Sequence, residues 1–137
     1  MAANINPIWI RKGNIGFNKA TAANTTRDLT SGTTYLVFTA DAAEGSRVSG
    51  LTIQPLGTNV ATALRIWLNN GGSAGTATNN TLIDEVTVPA STSSEVAELS
   101  KIDIPLDIVL PLGWRIYVTI GTAVSAGLQV TVQGGDY

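Results

Sequence analysis

Apolar residues recur at every second position through most of this chain. Trp114, Ile116, Val118 and Ile120 alternate with Arg115, Tyr117 and Thr119, the period of a strand with one buried face. A second apolar run, Leu106 to Leu110, precedes them, and Pro111-Leu112-Gly113 lies between. Proline presets φ for a first turn position, and glycine accepts the positive φ of a tight turn. Leu106 to Ile120 therefore predicts a central β-hairpin, with Ile108 and Leu110 on the core face.

The same alternation predicts further strands. In Thr33 to Thr39, Leu36 and Phe38 share one face and Tyr35 and Val37 the other. In Arg47 to Leu56, Leu51 and Ile53 oppose Thr52 and Gln54, and Pro55 ends the ladder because it has no N–H to donate. Val60, Thr62, Leu64, Ile66 and Leu68 oppose Ala61, Ala63, Arg65 and Trp67, which puts Trp67 beside Arg65 on an outer face. Thr81 to Val88, the Ile102/Ile104 pair and Leu128 to Gln133 complete the set, leaving Gly134 to Tyr137 as a tail. Asn69 to Asn80 is rich in Gly and Asn and predicts a flexible loop. Ala90 to Ser100 predicts an irregular connection, although Thr92-x-x-Glu95 has the spacing of a capping box.

About eight strands at roughly ten-residue spacing, with no amphipathic helix, define an all-β fold. The expected architecture is a jelly-roll-like antiparallel β-sandwich, with an immunoglobulin-like sandwich as the alternative. Residues 1–30 are expected to form an extended basic N-terminal arm, and residues 31–137 the sandwich. In the arm, Asn4 to Ile10 is a short strand candidate, and Gly13 to Asn18 is too rich in Gly and Asn for regular structure. The arm has two readings: an edge strand on its own domain, or a contact reaching another subunit.

Composition removes most chemistry. The chain has no cysteine and no histidine, so thiol nucleophiles, Ser-His-Asp arrangements and the usual zinc sites are excluded. Asp84 and Glu85 are adjacent and face opposite ways on a strand, so they form no catalytic pair. The Gly-rich loop lacks the GxxxxGK[ST] pattern that cradles phosphate. No enzyme activity, cofactor, metal or small-molecule substrate is expected. No run approaches the ~20 apolar residues of a membrane span, and no signal peptide is expected.

Only 13% of residues are charged, about half the usual share. Such a surface is suited to being covered by a neighbour. Arg11, Lys12, Lys19 and Arg27 precede the first acidic residue, Asp28; from there on, four basic residues face ten acidic ones. Four spread charges with little aromatic interleaving make a poor nucleic-acid site. Docking on an acidic protein surface, the chain's own or a neighbour's, is the expectation. The candidate contact residues are Ile8, Trp9, Ile10, Arg11, Lys12, Phe17, Lys19 and Arg27 in the arm. Tyr35, Trp67 and Tyr117 follow, because aromatic residues off the core face are enriched at interfaces.

The order from Asp28 to Asn70, followed by Pro105 to Ile120 with its LPLGW turn, resembles head decoration or cement proteins of tailed bacteriophages. The resemblance covers about Asp28 to Gln133 and implies a jelly-roll virion protein on the outer capsid surface. Its partners would be the major capsid protein and further copies of itself, as a dimer or alternatively a trimer, after synthesis in the host bacterial cytoplasm. It transfers no site residues. A tail or fibre module binding a receptor or glycan near Trp67 and the Asn69 to Asn80 loop is the alternative.

Overall fold

A computed structural model describes residues 10–137. Its strands are β1 (Lys12–Ala20), β2 (Tyr35–Thr39), β3 (Ser46–Pro55), β4 (Thr62–Asn69), β5 (Asn80–Val88), β6 (Ile102–Leu110), β7 (Arg115–Ile120) and β8 (Leu128–Asp136). They form two four-stranded antiparallel sheets, ordered β1-β8-β3-β6 and β2-β7-β4-β5. Strands pair from the two ends of the chain inward: β1 with β8, β2 with β7, β3 with β6, β4 with β5. Successive pairs fall in alternate sheets. One long antiparallel ribbon wound over itself in this way is a jelly roll.

The core lies between the sheets. Val48, Leu51, Ile53, Leu110, Leu128, Val130 and Val132 of one sheet meet Val37, Phe38, Leu64, Ile66, Val88, Ile116, Val118 and Ile120 of the other. The alternation read from the sequence therefore places most inward residues correctly.

The winding overturns the central hairpin. β6 belongs to one sheet and β7 to the other, so Pro111-Leu112-Gly113 is a corner between sheets. The glycine is as expected, with φ 71°, but the Trp114 N–H donates to the Pro111 carbonyl at 3.2 Å, so Leu112 and not Pro111 takes the first central position. A positive φ at the third residue alone defines a type II turn, whose twist splays the flanking strands.

The second correction is β1. Gly13 to Asn18, expected to be irregular, lies wholly within a strand that pairs with β8 from Lys12↔Asp136 to Ala20↔Leu128. For residues 12–20, the chain forms an edge strand of its own sandwich. Asn14, Gly16, Asn18 and Ala20 point inward at period 2. The Asn14 and Asn18 side-chain amides donate to the Thr39 and Leu36 carbonyls, each at 3.1 Å. These bonds satisfy acceptors on the free edge of β2 that no strand covers. Between them, Gly16 lies so close to the Val37 carbonyl that no Cβ would fit. An Asn-Gly-Asn alternation that looks like loop composition closes the seam between the sheets.

Smaller differences have local causes. A bulge between Leu36 and Phe38 breaks the two-residue period, so Phe38 is buried while Leu36 is exposed. β4 starts at Thr62, leaving Val60 exposed. β8 continues to Asp136, so the expected tail is strand. Residues 90–100 are irregular, as expected, apart from one bridge between Asn59 and Ser91. The Asn4 to Ile10 strand candidate lies outside the described residues except for Ile10.

A paired substitution tests the seam. Gly16→Ala should destabilise by about 3 kcal/mol, because the methyl meets a backbone carbonyl that cannot turn aside. Gly13→Ala, with open space around it, should change stability by less than about 1 kcal/mol. Urea unfolding of both variants checks this.

Candidate functional site

The outer face of the β2-β7-β4-β5 sheet is built from residues the sequence marks for contact, but its centre at Arg65 and Trp67 is covered. Trp67 is only 2% exposed. Its indole N–H donates to Thr119 Oγ1 at 3.1 Å. Arg65 is also buried; its guanidinium donates to Glu85 Oε1 at 3.1 Å and to the Asn24 carbonyl at 3.2 Å. The connection from Thr21 to Thr34 lies across this face as a strap. Arg27 donates to both Glu85 carboxylate oxygens at 3.1 and 3.3 Å, and the Asn80 amide donates to the Asp28 carbonyl at 3.0 Å. The next residue, Leu29, is buried in the left-handed region at φ 63°. Tyr35, half-buried, anchors the strap's start by accepting from the Thr21 and Ala22 N–H groups. Burial works to raise its phenol pKa, but these donors and the Thr21 hydroxyl outweigh it and set it below the ordinary value. Tyr117 is also half-buried.

The Asn69 to Asn80 loop is stapled rather than loose. The Asn69 amide donates to Asn80 Oδ1 at 2.7 Å and the Asn70 amide to Asn79 Oδ1 at 3.2 Å. The Asn69 and Asn70 side chains accept the Gly71 and Gly72 N–H groups, and Asn80 reaches the Ala74 and Thr76 carbonyls. Its asparagines are spent on one another, on the loop's own backbone and, for Asn80, on the strap.

Two other surfaces carry exposed apolar side chains, beside Leu36 on β2, Leu82 and Ile83 on β5 and Leu112 at the β6–β7 corner. Ile10, Ile15, Phe17 and Val109 stand on the outer face of the β1-β8-β3-β6 sheet, with Phe17 70% exposed. Ile10 and Ile15 line a shallow cavity of about 630 Å³ with Arg47, Ser49, Asp107 and Gln133. The second surface is the end of the sandwich where β1, β3, β5 and β7 finish. Leu56, Val60 and Val96 are exposed there, Val96 at 97%. Buried Asn59 holds this end together. Its backbone exchanges two hydrogen bonds with Ser91, its amide donates to the Gly127 carbonyl, and its Oδ1 accepts the Ala126 N–H. Three loops thus form one rigid platform. Sequence alternation misses it: it assigns Leu56 and Val60 to strands that in fact end at Pro55 and begin at Thr62, and Val96 is an isolated apolar residue in a loop.

The arm's charges fold onto the chain's own acidic groups. Arg11 pairs with Glu44 and Arg27 with Glu85, while Lys12 and Lys19 remain exposed on β1. Ile8 and Trp9 lie outside the described residues. Among the described residues, no three His, Cys, Asp or Glu side chains converge to hold a metal ion, and no helix is long and apolar enough to cross a membrane.

No protein-family model matches the chain, and no curated protein matches it. Among solved structures, it is similar to a chain of the T13 infectious bursal disease virus particle, at 14% identity and TM-score 0.34, over 97% of this chain and 35% of that one. It is likewise similar to a mutant VP2 protein of the same virus in derived T=1 particles, at 13% identity and TM-score 0.34, over 99% of this chain and 40% of that one. The chain spans well under half the length of both. The jelly-roll assignment rests on the strand order itself.

The strap is held by charge and should respond to acid. Side-chain hydrogen bonds from Arg27, then the charges of Arg27 and Arg65, outweigh desolvation and hold Glu85 below the ordinary carboxylate range. A carboxylate depressed on folding stabilises above its unfolded pKa of about 4.3, and that contribution is lost as pH falls through the folded value. Glu85→Gln should therefore lower the melting temperature at pH 7 by a few degrees. The gap to wild type should close as pH drops below the ordinary carboxylate range. Calorimetry from pH 7 to pH 3 checks the convergence.

Proposed function

We propose that this chain is a virion structural protein that binds the outer surface of an icosahedral phage capsid and clamps neighbouring major capsid subunits. The observation that carries the reading is the presence of two separate exposed apolar surfaces on one rigid sandwich. A protein with one such surface binds a partner; a protein with two can join partners together. Linked contacts raise overall affinity without new chemistry. The low charge of the chain limits the desolvation cost of covering it. The LPLGW-turn resemblance to phage cement proteins points the same way, as does the absence of Cys and His from the whole sequence.

The fibre-module alternative loses its expected site. Trp67 is buried, with its indole N–H spent on Thr119, and the asparagines beside it are engaged in hydrogen bonds within the chain. Within the cement reading, the Asn59 platform is the surface assigned to the shell. It presents Leu56, Val60 and Val96 on a preformed base, so little ordering entropy is lost on docking.

Co-sedimentation with empty phage shells tests this. Wild type should saturate the shells at a fixed stoichiometry and raise their melting temperature. Val60→Asp combined with Val96→Asp should keep the fold, since both side chains are exposed, and bind at least tenfold more weakly. Wild type that stays in the supernatant at every concentration would sink the proposal.

A further inference from the structure

The outer face of the β1-β8-β3-β6 sheet differs from the platform in charge and in extent. Its exposed charges come largely in pairs: Arg47 Nη2 lies 2.5 Å from Asp107 Oδ1, and Lys101 Nζ 3.7 Å from Asp103 Oδ1. Among the described residues of this face, Lys19 alone has no such partner, and it lies at the end of β1, over Gly127. The rest of the face is Ile15, Phe17 and Val109 with Ser49, Thr52, Gln54, Gln129, Thr131 and Gln133, uncharged or apolar throughout. The face is close to neutral on a chain of net charge −2, so the excess acid lies elsewhere.

We infer that this face is where two copies of the chain associate, sheet against sheet, about a two-fold axis; the inference rests on the clamping role proposed above. A two-fold contact sets a surface against itself. Any excess of one charge on it would face the same excess on the second copy, and like charges so placed cost several kcal/mol. A face whose charges are already paired escapes that penalty. The platform does not, because exposed Glu95 and Glu98 stand in its Pro89 to Lys101 loop without an ion-pair partner among the described residues. Area agrees. Four strands about 4.8 Å apart and nine residues long at about 3.4 Å each give a face of about 600 Å². Two such faces in contact remove about 1,200 Å², the lower bound of a stable interface. Phe17 and Ile15 supply the apolar anchor such an interface needs. Pairing through the sheets leaves both platforms free for the shell, which is what a clamp requires.

Light scattering of the purified chain over a wide concentration range, beside the shell assay, tests this. Wild type should have twice the chain mass. Phe17→Asp, at an exposed position, should keep its fold by circular dichroism and raise the dimer dissociation constant at least a hundredfold. Gln133→Arg, in the middle of the same face, is the second variant and should do the same. A wild type that stays monomeric at all concentrations, or assembles as a trimer, overturns the inference. So does a dimer indifferent to both substitutions. A monomer that still saturates shells removes this inference and leaves the clamping role standing. A Phe17-dependent dimer that ignores shells upholds the inference and removes the clamping role.

Discussion

The fold depends on the approach of β1 to β2, where the edges of the two sheets are stitched to each other. A jelly roll wound from one ribbon leaves β1 and β2 as the outer strands of different sheets, side by side. Left open, β2 would present a row of unpaired carbonyls. Asn14 and Asn18 satisfy two of them, and Gly16 lets the backbones draw together. The inward turn of those small polar residues has a consequence on the other side of the strand. Ile15 and Phe17 must point out, so sealing the seam and displaying an apolar surface are two results of one alternation.

How much of this the sequence announces depends on where each residue's partner lies. β3, β4, β7 and β8 are legible because a period of 2 with Val, Ile and Leu on one face needs only local information. The LPLGW turn shows its limit. Its backbone conformation follows from Leu112-Gly113, but whether the flanking strands pair is decided by the ribbon's winding, which no fifteen-residue window contains. β1 hides for a related reason. Its buried face is Asn, Gly, Asn and Ala because it faces another strand's backbone, so the hydrophobic signal that normally marks a strand is reversed.

The contact residues divide in the same way. Phe17 and Ile10 are exposed as the sequence suggests. Trp67 and Arg65 lie on the outer side of their sheet, as alternation requires, yet they are buried, because alternation says which side a residue takes and not what covers it. The cover over Arg65 is the Thr21 to Thr34 strap, whose one large apolar residue, Leu29, lies among Asx turns and gives no periodic signal. The platform around Asn59 is invisible for the opposite reason: its apolar residues are scattered over loops that only the fold brings together. What results is a sandwich with one sheet face partly covered by its own strap, the β1-β8-β3-β6 face exposed, and one end tied together and apolar, an arrangement suited to joining protein surfaces.

The most direct test of this account is electron cryo-microscopy of empty phage shells saturated with the protein. The account predicts paired densities, each two sandwiches back to back through the β1-β8-β3-β6 faces, with the Asn59 platforms against the shell. Isolated single sandwiches lying with that sheet face flat on the shell would contradict it.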